Sequence, residues 1–273
     1  MDWLLKLSFL GYLAGSAGFA AYFATNRQAV FRAGQGLFGA GAALHTAFVL
    51  WAWAGAGYPP VNGLKETLFF AAWAMALAFE LVDLRYGLRV LGVVAGPAVI
   101  ALMAAGFLVP GTAPADPQLL GGVWMLTHVM SLFFGYAALF LAAGAGALYL
   151  LQERSIKRKS HGFFFRRLPS LDNLDRMNHG CLAVGFTLLT LGLITGAVYA
   201  QAVWGRWWSW DPKEVWSAIT WLTYAALLHE RLAVGWRGRR AAVLSILGLV
   251  LILFTFLGVN LLLEGHHGPF TRI

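Results

Sequence analysis

Eight apolar stretches, each long enough to cross a hydrocarbon layer of about 30 Å, divide this chain at roughly 3–25, 35–55, 66–84, 88–109, 121–151, 180–203, 212–232 and 240–263. A sequence so divided has little choice of architecture. In lipid every backbone amide and carbonyl must find its partner within the spanning structure, and runs of this length do so as helices. Charge content supports the same reading. Only 12% of the 273 residues are charged, against about a quarter in soluble domains, a deficit too large for a bigger core to explain. The expected fold is therefore all-α, a polytopic transmembrane helical bundle of about eight spans. It forms a single integral-membrane domain over 1–273, with spans one to four in 1–120 and spans five to eight in 121–273. The long first run, with Asp2 and Lys6 at its head rather than a basic leader, predicts a retained first span. Small residues within the spans, such as Gly11 and Gly15 or Ala143-Gly144-Ala145-Gly146, permit close helix packing.

A formal charge of +8 points to nucleic acid in a soluble protein; here the distribution of Lys and Arg removes that reading. With the loops after odd-numbered spans in the cytoplasm, fifteen of the twenty Lys and Arg lie inside, and only Lys6, Lys65, Arg206, Lys213 and Arg272 lie outside. The positive-inside rule then puts both termini on the outer face. The segments 56–65, 110–120, 203–211 and 264–273 share that face. The most basic stretch, 152–179, reads as a cytoplasmic loop. A lone cysteine, Cys181, excludes a disulfide framework or a Cys-rich metal site within the chain.

Chemistry is expected where the tryptophans gather. Six of the twelve lie in the eighteen residues from Trp204 to Trp221. An interfacial aromatic belt scatters Trp over several helix ends; the alternative for half the total at one end is a flat platform for a large planar ligand. Asp211-Pro212 also reads as a helix start, with Asp211 as cap, Pro212 in the first turn and Glu214 at the positive helix end. Arg206 and Lys213 flank the segment and are suited to pairing with carboxylates.

Of the seven histidines, His161 and His179 fall in or beside the basic loop and read as surface residues. His45, mid-span, reads as a packing or hydrogen-bonding residue. His128 near the start of span five and His266 and His267 just beyond span eight share the face of the tryptophans. Two imidazoles on either side of a stacked planar ligand would make a bis-His haem site. His229 lies about 25 Å along span seven from Pro212 at ~1.5 Å per residue, near the cytoplasmic side. It is either an interfacial residue beside Glu230 and Arg231 or an intramembrane ligand.

The run Trp204-Gly205-Arg206-Trp207-Trp208-Ser209-Trp210-Asp211-Pro212-Lys213-Glu214-Val215-Trp216-Ser217-Ala218-Ile219-Thr220-Trp221 resembles the WWD signature of the haem-handling proteins of cytochrome c biogenesis. Within that family, Asp211-Pro212-Lys213-Glu214, then Trp216 to Tyr224 and His229 after Leu227-Leu228, is similar to the CcsA (ResC-like) branch of System II. Tyr58-Pro59-Pro60-Val61-Asn62 with Glu66 and Phe69-Phe70, and Trp124-Met125-Leu126-Thr127-His128 with Tyr136, extend the likeness over most of the chain from about residue 45. The resemblance implies haem export and covalent attachment to apocytochrome c at its CXXCH motif, a holocytochrome c synthase of haem lyase type. The alternative is a haem transporter or chaperone that delivers without catalysing attachment. Haem b is implied as cargo, with Trp204, Trp207, Trp208, Trp210, Asp211 and Arg206 around it. The resemblance implies that its iron is held by His128 and His267 at the outer face. Asn260 to Gly265 aligns His267 with the family's ligand, while His266 stands where the family has Leu. His229 is implied in a second, transmembrane haem site completed by a partner's His. The implied partners are a CcsB/ResB-like membrane subunit, apocytochrome c, haem and the lipid bilayer, with no nucleic acid. The implied location is an inner or thylakoid-type energy-transducing membrane, with the haem-handling face outward.

Overall fold

The computed structural model of the protein describes residues 2–111, 120–159 and 162–262. Among these, every regular element is helical. α1 runs Asp2–Thr25, α2 Gln28–Ala56, α3 Leu64–Tyr86 and α4 Gly92–Leu108, with a 3-10 turn at Arg89–Leu91 leading into α4. α5 spans Val123–Lys157, a short α6 Phe163–Arg167, α7 Leu171–Trp204, α8 Pro212–His229, α9 Arg239–Leu253 and α10 Val259–Leu262. A π-helical turn at Glu230–Val234 prolongs α8, and another at Phe254–Gly258 joins α9 to α10.

Seven of the described helices are long and apolar enough to cross a membrane: α1, α2, α3, Arg89–Leu108, α5, α7 and Arg239–Gly258. α8 is the eighth long helix; it has 18 residues, with Lys213 and Glu214 in its first turn. The chain is thus a multi-pass bundle of about eight spans. Leucines such as Leu50, Leu84 and Leu222 stand exposed on its outer surface, as expected where lipid rather than water is the solvent.

One expectation is corrected. The basic stretch 152–179 is mostly helix, because α5 continues to Lys157 and α7 begins at Leu171. Pairs one turn apart hold these polar ends in register: Glu153 with Lys157 at 2.7 Å, and Asp172 with Arg176 at 2.5 Å. Ser170 caps α7 by accepting from the Asn173 amide. Capping and i,i+4 pairs sustain a helix without apolar burial.

α1 packs on α2 and α3 on α4, while α5 lies against α3, α7 and α9. The α1–α2 contact needs glycine: a Cβ at Gly18 would stand 2.5 Å from Gly34 Cα, so the backbones meet directly. Phe19 of α1, Phe38 of α2 and Phe79 of α3 meet in tilted and edge-to-face contacts, each pair of ring centroids 5.4 Å apart. On the other side of the bundle, the buried Asn178 amide of α7 donates to Ala142 O of α5 at 2.8 Å and to Ser245 Oγ of α9 at 2.9 Å. Those two bonds fix the three helices in one register.

Candidate functional site

The start of α3, the start of α5, the end of α7 and the start of α8 meet at one end of the bundle. They enclose a cavity of about 250 Å³, also walled by the π turn after α9. Its lining is largely apolar, with Met125, Val129 and Leu132 on one side and Trp204, Trp207 and Trp208 on another. A few polar groups converge on it: His128, Thr67, Tyr136, Lys213, Glu214 and Ser217. An apolar hollow with a small set of placed polar groups is the usual form of a binding site for an organic ligand.

His128 sits between α5 and α7, half-buried. Its Nδ1 lies 2.7 Å from the backbone carbonyl of Gly192. A carbonyl only accepts, so Nδ1 carries the hydrogen and donates, and a neutral ring then has its lone pair on Nε2. This is the arrangement that orients a metal-binding imidazole and makes it more basic. The ring lies against α7 only because position 196 is glycine: a Cβ there would stand 2.5 Å from Nδ1.

The tryptophan segment is built around one carboxylate. Glu214 Oε2 accepts from the Ser209 amide at 2.7 Å and the Asp211 amide at 3.3 Å, and Oε1 from Ser209 Oγ at 3.0 Å. Asp211, itself buried, accepts from the Lys213 amide at 2.8 Å. Together they form a capping box with Pro212 behind it. Between the two clamped amides Trp210 adopts φ of 59°, a left-handed conformation rare for a bulky residue. The residue is 77% exposed, and its ring stands edge-on to that of Trp208, centroids 5.8 Å apart. Trp204 is likewise edge-on to Tyr199 at 6.2 Å. The indoles therefore form upright walls and a rim, where the sequence suggested one flat platform. Trp216 and Trp221 belong to the packing: Trp216 meets Phe254 at 4.4 Å, and Trp221 stacks on Phe186 and donates to Thr190 Oγ1 at 2.9 Å.

Of the residues singled out from sequence, His128, Tyr136, Trp204, Trp207, Trp208, Lys213 and Glu214 line the cavity. Trp210 reaches it through Trp208, Asp211 supports it from beneath as a cap, and Arg206 is exposed in the preceding turn. His229 lies at the far end of α8 with its side chain exposed. His267, His266 and His161 lie outside the described residues. His45 is fully buried against Tyr12, in keeping with a hydrogen-bonding role. His179 departs from the surface reading. It is half-buried, one turn beyond Asp175, because α7 begins eight residues earlier and tucks this stretch against the π turn after α8. There Arg231 pairs with Asp175 at 2.6 Å, and Asp175 Oδ1 also accepts from the Gly238 amide at 2.8 Å.

Sequence reasoning did not single out Gly192, Gly196, Thr67, Tyr199 or Ser217. The two glycines, four apart on an apolar helix, carry a recognisable small-residue spacing. Nothing in one dimension says that their partner is His128.

The sequence profile of the family described as "Cytochrome C assembly protein" matches residues 61–267. Among individual relatives, the "Cytochrome c biogenesis protein CcsA" of Synechococcus sp. (strain CC9902) is 38% identical over 250 residues, 82% of this chain and 82% of its own length. The protein of the same description from Prochlorococcus marinus (strain MIT 9312) is 36% identical over 247 residues, 82% of this chain and 80% of its own.

Proposed function

We propose, given that this chain belongs to the cytochrome c assembly protein family, that it presents haem at its outer face for covalent attachment to apocytochrome c. Membership brings a role in cytochrome c maturation and, with it, the handling of haem. The attachment step is supported above all by one observation, the His128 imidazole held by Gly192 O at 2.7 Å on the wall of a Trp-lined cavity.

In this reading haem b is the cargo. His128 Nε2 ligates its iron from one side, and His267, beyond the described residues, from the other. Trp204, Trp207, Trp208 and Trp210 confine the macrocycle by ring contacts. Lys213 on the cavity wall and Arg206 in the turn pair with the propionates. Asp211 acts through the loop it caps. The cavity end of the bundle faces outward, with both termini on that side. His229, exposed on α8, suits a second site closed by a CcsB/ResB-like partner.

The chemistry asked of this chain is modest. Each thiol of the CXXCH motif adds across a vinyl group of haem: a C–S bond forms, the thiol hydrogen ends on the neighbouring vinyl carbon, and nothing leaves. The nucleophile belongs to the apocytochrome, so the chain's residues contribute positioning and exclusion of water. The membrane half of a System II cytochrome c synthase is the role that fits.

Absorption spectra of the purified protein, oxidised and reduced, test the ligand set in wild type, His128→Ala and His267→Ala. A low-spin bis-imidazole spectrum in wild type, lost in each variant and restored by added imidazole, is the expected result. A wild type that is colourless even with its partner, or variants with an unchanged spectrum, would overturn it.

A further inference from the structure

Away from the tryptophan cavity, the first three helices bury a line of polar groups that nothing in haem handling calls for. His45 is 0% exposed, seventeen residues into the twenty-nine of α2. Its Nδ1 stands 3.3 Å from the Tyr12 hydroxyl of α1, and its Nε2 has no partner. The Tyr12 hydroxyl lies within electrostatic reach of the Glu80 carboxylate of α3. Glu80 Oε1 is also buried without a partner. It rests beside Gly39, where a side chain's first carbon would come within 3.7 Å of it. Gln35 of α2 lies near Glu80 and donates to Asp83 Oδ2 at 2.9 Å, and Asp83 Oδ1 is a third buried atom without a partner. Asp83 lies three residues from the end of α3, where Arg89 acts on it by charge. Among the described residues, those are the titratable and charged groups found along the line; α4 carries none.

Buried polar atoms without partners are uncommon, and each one asks for an explanation. Ionisable side chains inside a membrane are costly and are functional candidates by default. No group of three or more His, Cys, Asp or Glu able to hold a metal ion occurs among the described residues. What they have in common is the capacity to hold and pass hydrogen.

We propose that Asp83, Gln35, Glu80, Tyr12 and His45 form a proton-binding path leading from the Arg89 end of α3 to the middle of the bundle, with Glu80 as its resident proton site. A proton enters at Asp83 and moves to Glu80. From there Tyr12 takes it on oxygen while giving its own hydroxyl hydrogen to His45 Nδ1. Glu80 is left as carboxylate, Tyr12 is unchanged, and His45 becomes an imidazolium whose charge is balanced by Glu80. No oxidant or second reactant is involved. The path does not depend on the haem reading, and its test uses neither haem nor apocytochrome.

The test is labelling with dicyclohexylcarbodiimide, which attacks protonated carboxyls in apolar surroundings, followed by peptide mass spectrometry of the full-length protein in lipid nanodiscs across a pH series. The wild type carries the adduct at Glu80, and the yield falls as pH rises. In Tyr12→Phe and Gln35→Met the pH of half-labelling moves by about half a pH unit or more, a roughly threefold change in proton affinity. Melting curves establish that each variant is folded, and either variant suffices if the other is not. A folded wild type with no adduct at Glu80, or a half-labelling pH that stays put in the folded variants, overturns the proposal.

Discussion

His128 of α5 and Gly192 of α7 are joined by a 2.7 Å hydrogen bond from imidazole Nδ1 to a backbone carbonyl. The acceptor is main chain, so it cannot be mutated away. The pair is best tested through its neighbour. In Gly196→Ala a methyl would stand 2.5 Å from Nδ1, and the ring must swing off α7. The expected outcome is a haem spectrum like that of His128→Ala, recovered by added imidazole, with the melting temperature of the protein little altered. A Gly196→Ala protein with wild-type absorbance would show that the ring position is not what holds the iron.

Trp210 is held at φ of 59° by hydrogen bonds on either side of it. Backbone strain of this kind costs about 1–3 kcal/mol, and glycine escapes it. Trp210→Gly is therefore expected to keep or raise the melting temperature while lowering haem retention, since its exposed ring adds little packing. Loss of both together would mean that the ring is structural.

Glu214 serves three donors at once. Glu214→Ala leaves the Ser209 and Asp211 amides without that acceptor, at about 1–3 kcal/mol for a buried group left unsatisfied. Limited proteolysis should find new cleavage between 205 and 211 in this variant and none in Glu214→Gln, which keeps one accepting oxygen.

Arg231 and Asp175 form the most buried ion pair described, with side chains 6% and 16% exposed. Removing one partner strands the other, at about 3–5 kcal/mol. Asp175→Ala should therefore lower the unfolding temperature in detergent far more than the exposed-pair variant Asp172→Ala. The double variant Asp175→Leu/Arg231→Leu should recover part of the loss.

His229, exposed on α8, predicts a division between the chain alone and its complex. His229→Ala is expected to leave the spectrum of the isolated protein unchanged and to remove a second haem signal from the complex with its partner. A changed spectrum in the isolated protein counts against a site shared between subunits.

The spans were legible because an apolar run of twenty residues has one low-energy fate in lipid, and the expected 66–84 and Leu64–Tyr86 differ by two residues at each end. The extension of α5 and α7 through 152–157 and 171–179 was not legible, since those helices rest on caps and ion pairs rather than on apolarity. Asp211 and Glu214 were readable as helix-start residues, but that Glu214 reaches back to Ser209 was not. His128 and the tryptophans were readable as one site because motif and expected sidedness agreed. Gly196, Thr67 and Ser217 were missed, because a residue's part in a cavity wall depends on neighbours more than sixty positions away.

α8 has consequences for how the protein is made. With Lys213 and Glu214 in its first turn and Asp211 just ahead, it is the long helix that falls outside the seven apolar enough to cross on their own. Each charged residue costs a helix about 2.5–3.5 kcal/mol at the bilayer centre and less near its edge. α8 therefore depends on company to enter the bilayer. α9 supplies it, packing along α8, with Thr255 of the π turn that follows hydrogen-bonded to Thr220 at 3.1 Å. The cavity is then completed last in synthesis: a nascent chain stopped after His229 has its tryptophans and His128 already made, yet lacks the wall that Thr255 and Phe256 supply.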